Sequence, residues 1–235
     1  MKNQYFGDIN DYRKYGLLRV LLQATHCNLL VAWMLTPDDG GGDGRFRAYL
    51  KDASYSRYDP GLYNWLYDQL MRQKRAPRVS LIEESSMLPR ATYYSEMVPD
   101  ERKRREEWRK GLFEAAQNAD LVFLDPDNGI EVLSKPVGRK GSSKYVTWYE
   151  LRELWNAGCS LLIYQHFPRK PRERFIKCIA SELQRQTGAG LVKAFRTPYV
   201  LFLLAAQDRH VDCFQRATSL VPLQWDDQIQ PVDLD

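Results

Sequence analysis

The stretch with the clearest chemical potential is Asp125-Pro126-Asp127-Asn128-Gly129, a polar turn closing the unbroken apolar run Leu121-Val122-Phe123-Leu124. Such a run reads as a strand buried on both faces, and in open α/β sheets ligands bind beyond the carboxyl ends of the strands. Asp125 is therefore expected to be a carboxylate delivered to a site, the plainer alternative being an ordinary Asp-Pro turn. The apolar run 29–35 empties into a second polar segment, Thr36-Pro37-Asp38-Asp39-Gly40-Gly41-Gly42-Asp43-Gly44, too rich in glycine for regular structure. Because glycine carries no side chain, such a loop lets backbone amides approach a nucleotide or nucleoside, which makes Asp38, Gly40, Gly42 and Gly44 candidate cofactor residues. The spacing is neither Gly-x-Gly-x-x-Gly nor a Gly-Lys-Ser/Thr loop, so neither a dinucleotide nor a nucleoside triphosphate is specified.

Four more segments could join that site. Val79-Ser80-Leu81-Ile82 reads as a short strand ending at Glu83, where nucleoside-binding folds place the acid that accepts from ribose hydroxyls, with Glu84 as its alternate. Gly7-Asp8-Ile9-Asn10-Asp11-Tyr12-Arg13-Lys14-Tyr15 packs acids, a lysine and aromatic rings into a helix start where Asp8 or Asp11 could serve as a cap. His166 follows an apolar run and precedes the basic stretch Pro168-Arg169-Lys170-Pro171-Arg172, from which it could reach the same cleft or serve only as a structural histidine. Tyr145, Trp148 and Tyr149 interleave with Arg139, Lys140 and Lys144, a mixture suited to base stacking and phosphate contact, or to helix core.

The elements that must position these residues alternate. Helical spacing predicts helices from Asp8 to about Ala24 and over 62–71, 101–117, 148–155 and 172–185. Buried or short strands are expected over 29–35, 79–82, 92–97, 121–125 and 160–164. The runs 191–195 and 199–205 are joined by Arg196-Thr197-Pro198, which is long enough for a hairpin and far too short for a helical crossover. The pattern predicts one α/β domain over 1–235, with a doubly wound, mostly parallel sheet and a C-terminal antiparallel hairpin. Apolar runs are too short to span a bilayer and no secretory signal is recognisable, so a cytoplasmic protein is expected. Four scattered cysteines and three isolated histidines offer no zinc-ligand spacing. The net charge is only +4, but cations cluster over 102–110, 139–144 and 169–177, which suits a polyanion.

The order Gly7, Asp11, Lys14-Tyr15, the loop ending Gly44-Arg45-Phe46, Tyr58-Asp59-Pro60-Gly61, Leu81-Ile82-Glu83 and Leu124-Asp125-Pro126 resembles the bacterial adenine amino-methyltransferases that modify large-subunit ribosomal RNA. The resemblance implies a class I S-adenosylmethionine (SAM)-dependent methyltransferase fold with a small helical insertion at about 45–77. It also implies a nucleic-acid substrate, RNA rather than DNA, modified at a base amino group. The glycine loop would hold the methionine part of SAM and Glu83 its ribose. Lys14 with the amino-terminal segment would close over cofactor and substrate. Asp125 would take the catalytic position with Lys14 and Asn128 beside it, and Tyr5, Asp11, His166, Lys144 and Arg169 would contact substrate. Alignment of amine and methyl group does most of the work in such enzymes, since the methyl donor is already activated.

This chain departs from the family at Asp127 and Asn128, which replace a second proline and a stacking aromatic ring. The lost ring is a contact of about 1 to 3 kcal/mol per base. The same acids support a second reading, in which Asp125, Asp127 and Glu131, beside Asp38, Asp39 and Asp43, hold Mg2+ or Mn2+ for phosphodiester hydrolysis. A third is a catalytically silent descendant that binds nucleic acid or a protein partner.

Overall fold

A computed structural model describes residues 1–41 and 46–234. Helix α1 (Ile9–Ala24) starts where expected, because the Asp8 side chain accepts from the free amides of Asn10 and Asp11. Strand β1 (Leu29–Ala32) follows. The expected insertion contains two 3-10 turns and helix α2 (Pro60–Tyr67), capped by Asp59 with proline in its first turn and running on into a π-helical turn, Asp68–Arg72. Helix α3 (Ser80–Glu83), strand β2 (Ala91–Tyr94), helix α4 (Arg102–Ala115) and strand β3 (Leu121–Leu124) come next. Two short strands, β4 (Gly129–Ile130) and β5 (Tyr145–Val146), lead to helix α5 (Trp148–Asn156), which opens with a Thr147–Glu150 capping box. Strand β6 (Ser160–His166), helix α6 (Arg172–Thr187), strands β7 (Leu191–Arg196) and β8 (Val200–Ala206), helix α7 (Val211–Trp225) and strand β9 (Gln230–Val232) complete the chain.

The central sheet has the order β2-β1-β3-β6-β8-β7-β9, with β4 and β5 forming a separate parallel pair. Strands β2, β1, β3 and β6 are parallel, while β8 enters antiparallel between β6 and β7, and β9 pairs antiparallel with β7. The sheet is mixed α/β, mostly parallel and compatible with a Rossmann-like fold. Alternation sorts its core into two layers: Leu29, Val31, Leu121 and Phe123 pack toward α1 and α7, whereas Leu30, Ala32, Val122 and Leu124 pack toward α4, α5 and α6. Helices thus cover both faces, which is why the central strands read as continuous apolar runs.

Two contacts seat α1 at the site. Gly16 lies against the Trp225 indole so closely that any Cβ there would collide with it. Arg13 donates from Nε (3.2 Å) and Nη2 (2.7 Å) to Gln228 Oε1. The expected strand at 79–82 is corrected: Leu81 and Ile82 enter the core from the single turn of α3, a run too short for periodicity to separate helix from strand. The strand expected over 92–97 pairs as β2 only to Tyr94, with one further bridge from Leu35 to Met97. No helix among the described residues is long and apolar enough to cross a membrane.

Candidate functional site

Because β1 leads to β2 on one side and β3 lies on the other, the strand order reverses between β1 and β3, and their carboxyl ends form the crevice where such sheets take ligands. Asp125 continues β3 by donating its amide to Ala32 O (3.0 Å), and Pro126 then ends the ladder. The start of α1 faces this turn. Lys14 Nζ lies 2.7 Å from Asp11 Oδ1 and 2.7 Å from Asp125 Oδ2, and Asp11 also accepts from Gly7 N (2.9 Å) and the Tyr15 hydroxyl (3.2 Å). All three charged side chains of the cluster are buried. Burial opposes the Lys14 charge, but Asp11 and Asp125 outweigh it and hold its pKa above the usual lysine range. Burial lifts the Asp125 carboxyl, with Lys14 pulling it back only in part. Asp8 is pushed up to about 7, first by burial and then by the Asp11 charge.

The crevice itself is occupied by the chain. Met1 N lies 2.8 Å from Asp127 Oδ1 and donates to Asp125 O (2.9 Å) and Met34 O (3.2 Å), while Met1 O accepts from Thr36 N (2.9 Å). Lys2 pairs with Asp39 and donates to the Tyr5 hydroxyl (3.2 Å), and Gln4 bonds Asp38 and Asp39. Burial raises the Asp127 carboxyl less than the Met1 charge and the Thr36 hydroxyl (2.6 Å) lower it, so it stays below the ordinary range.

Outside this plug lies an open cleft of about 460 Å³, whose lining includes Tyr5, Asn10, Phe46, Asn128, Lys144 and Tyr199. Phe46 and Tyr199 stack at 10° with centroids 6.4 Å apart, although they are 60% and 57% exposed. Asn10 Oδ1 has no hydrogen-bond partner. Tyr164 and His166 close one wall, 3.2 Å apart from hydroxyl to Nε2.

The fold therefore gathers Tyr5, Asn128, Lys144 and His166 on the cleft, with Asp11, Lys14 and Asp125 at a small recess beneath it. Glu83 is elsewhere, accepting from Trp33 Nε1 (2.7 Å) and Ser95 Oγ (2.5 Å). Asp38 and Gly40 lie on an exposed loop tied to Gln4, and Gly42 and Gly44 lie outside the described residues. Arg169 is exposed and is not among the cleft-lining residues. Tyr149 covers Arg109 at 5.0 Å on another surface. Within the 102–110 cluster, Arg105 is buried and, with Arg109, clamps the Glu150 carboxylate, so part of that charge is internal. Phe46 and Tyr199 stand alone in irregular segments and Asn10 is one polar residue at the start of α1, so none carries a spacing signal.

Glu83, expected at the ribose of SAM, is engaged through Oε1 with Trp33 and Ser95, and Met1 lies in the crevice beside Asp125. The metal set is not gathered. Asp125 meets Lys14, Asp127 meets Met1, and Glu131 accepts from Trp148 N (2.7 Å) at the start of α5. Among the described residues no three His, Cys, Asp or Glu side chains are grouped to hold a metal ion. No protein-family model matches the chain, and no curated protein matches it at a significant level.

Proposed function

We propose that the protein binds single-stranded or locally opened RNA, taking a base into the cleft at the carboxyl ends of β1, β3 and β6. The observation that carries this reading is the exposed, mutually stacked Phe46–Tyr199 pair, which lines the same cleft as Lys144. Aromatic faces offer bases a sequence-tolerant platform, and a neighbouring cation suits the phosphate backbone. Deeper in, Asn10 Oδ1 is an unsatisfied acceptor and the Asn128 amide offers both donor and acceptor, a pairing suited to a base edge. Lys14, Asp11 and Asp125 hold the floor rigid rather than touching the base. Fluorescence polarisation with labelled RNA and DNA single strands tests this. Salt-sensitive binding that favours RNA is expected, and no binding at low salt would overturn it.

Methyl transfer to a base amine is the second reading, favoured by the Asp125-Pro126-Asp127-Asn128 turn at the end of a central strand with Asn128 on the cleft. It requires Met1 to leave the crevice beside Asp125. Calorimetry with SAM decides: saturable binding weakened by Glu83→Ala supports methyl transfer, and absence of heat leaves RNA binding alone.

A further inference from the structure

Glu131 is followed by a loop that leaves the cleft and returns to it. Asn128 N donates to Lys144 O (2.9 Å), both residues line the cleft, and β4 and β5 pair immediately beyond them. Between these feet, residues 132–144 include Lys135, Arg139, Lys140 and Lys144 and no acid. Just after β4, Leu133 is 103% exposed and Val132 43%.

We propose that this loop presents Leu133 as a wedge that enters the base stack of double-stranded RNA, beside the base drawn into the cleft. The inference rests on the cleft being an RNA site. The loop is braced for such a load. Asp100 accepts from Gly141 N (2.7 Å), Ser143 N (2.6 Å) and Ser142 Oγ (3.2 Å), and its carbonyl accepts from Gly138 N (2.9 Å). Lys135 N donates to Val132 O (2.9 Å), which closes a turn with Leu133 and Ser134 at its apex, and Lys135 Nζ reaches Lys140 O (3.2 Å). A fully exposed leucine on a braced, acid-free, cationic loop has a definite complement. Phosphates neutralise the cations, and the gap left by an extruded base receives the apolar side chain. The wide, shallow minor groove of A-form RNA admits a side chain carried on a turn, whereas the B-DNA minor groove is about 6 Å wide and about 7.5 Å deep.

The test uses the full chain, an RNA duplex of about 20 base pairs bearing a central 2-aminopurine, the matching DNA duplex and the single RNA strand. The unaltered protein should raise the 2-aminopurine signal in duplex RNA. Leu133→Ala should abolish that rise and weaken duplex binding about tenfold while leaving single-strand affinity unchanged, and Leu133→Phe should keep the rise. Because the side chain is exposed, none of these variants threatens folding. A Leu133→Ala protein that matches the unaltered one overturns the wedge, and an equal signal on DNA overturns the assignment to RNA. Binding of single strands without duplex overturns the wedge but leaves the cleft reading standing. Failure to bind RNA in either form overturns both.

Discussion

Lys14 Nζ stands 2.7 Å from Asp125 Oδ2 across 111 residues of sequence, and the same nitrogen is 2.7 Å from Asp11. Breaking a buried ion cluster by removing one partner costs far more than a surface pair does, because it strands uncompensated charge. Lys14→Met should therefore lower unfolding free energy by about 3 to 5 kcal/mol in urea titration. A loss below about 1 kcal/mol would place the cluster in the class of exposed pairs.

Asp8 gives a pH signature. Its carboxyl titrates near 7 in the folded chain against 3.8 ordinarily, so between those values the folded state holds a proton that the unfolded state has released. Stability contributed by Asp8 is thus complete below the lower value and declines as pH rises toward 7, by at most about 1.4 kcal/mol per pH unit. Asp8→Asn keeps a capping side chain and should remove that slope from denaturation curves collected between pH 4 and 7. An unchanged slope in the variant would assign the proton to another group.

The stacked rings at the mouth predict a loss in binding without a loss in folding. Phe46→Ala and Tyr199→Ala should each weaken single-stranded RNA binding by about 1 to 3 kcal/mol, with melting temperature nearly unchanged because both rings are largely exposed. Equal affinity in both variants would remove the platform from the binding site.

Lys144 should act through phosphate alone. Lys144→Gln is expected to weaken binding about uniformly across sequences and to reduce the slope of log affinity against log salt by about 1. A sequence-selective loss would instead assign Lys144 to base contact.

Much of this frame was legible in the sequence. Asp8 announced α1, continuous apolar runs announced the central strands, and Arg196-Thr197-Pro198 announced the β7–β8 hairpin. Helix α7 was hidden by Pro222, which sits inside a helix whose Phe214, Ala217, Val221 and Trp225 face the core. Strand β9 has only three residues, one of them Pro231, and forms at the sheet edge where proline is tolerated. At the site, sequence brought forward Asp125, Lys14 and Asn128 because each stands beside a strand end or helix start. It read the segment before Glu83 as a strand because an acid after four apolar-rich residues looks alike on a strand or a helical turn. Met1 in the crevice had no local signal, since its partner Asp125 is 124 residues away.

Helix α1 answers to both the middle and the end of the chain, through Lys14 to Asp125 and Arg13 to Gln228, the latter spanning 215 residues. Its cap is local, and Lys14 has a local partner in Asp11, yet Lys14 and Arg13 also hold Asp125 after β3 and Gln228 beyond α7. Contacts over such separations raise contact order, which slows folding, and the face of α1 on which Gly16 receives Trp225 is covered only once α7 packs against it. The packing of α7 and of the segment after it thus fixes the orientation of the helix that carries Lys14 to Asp125.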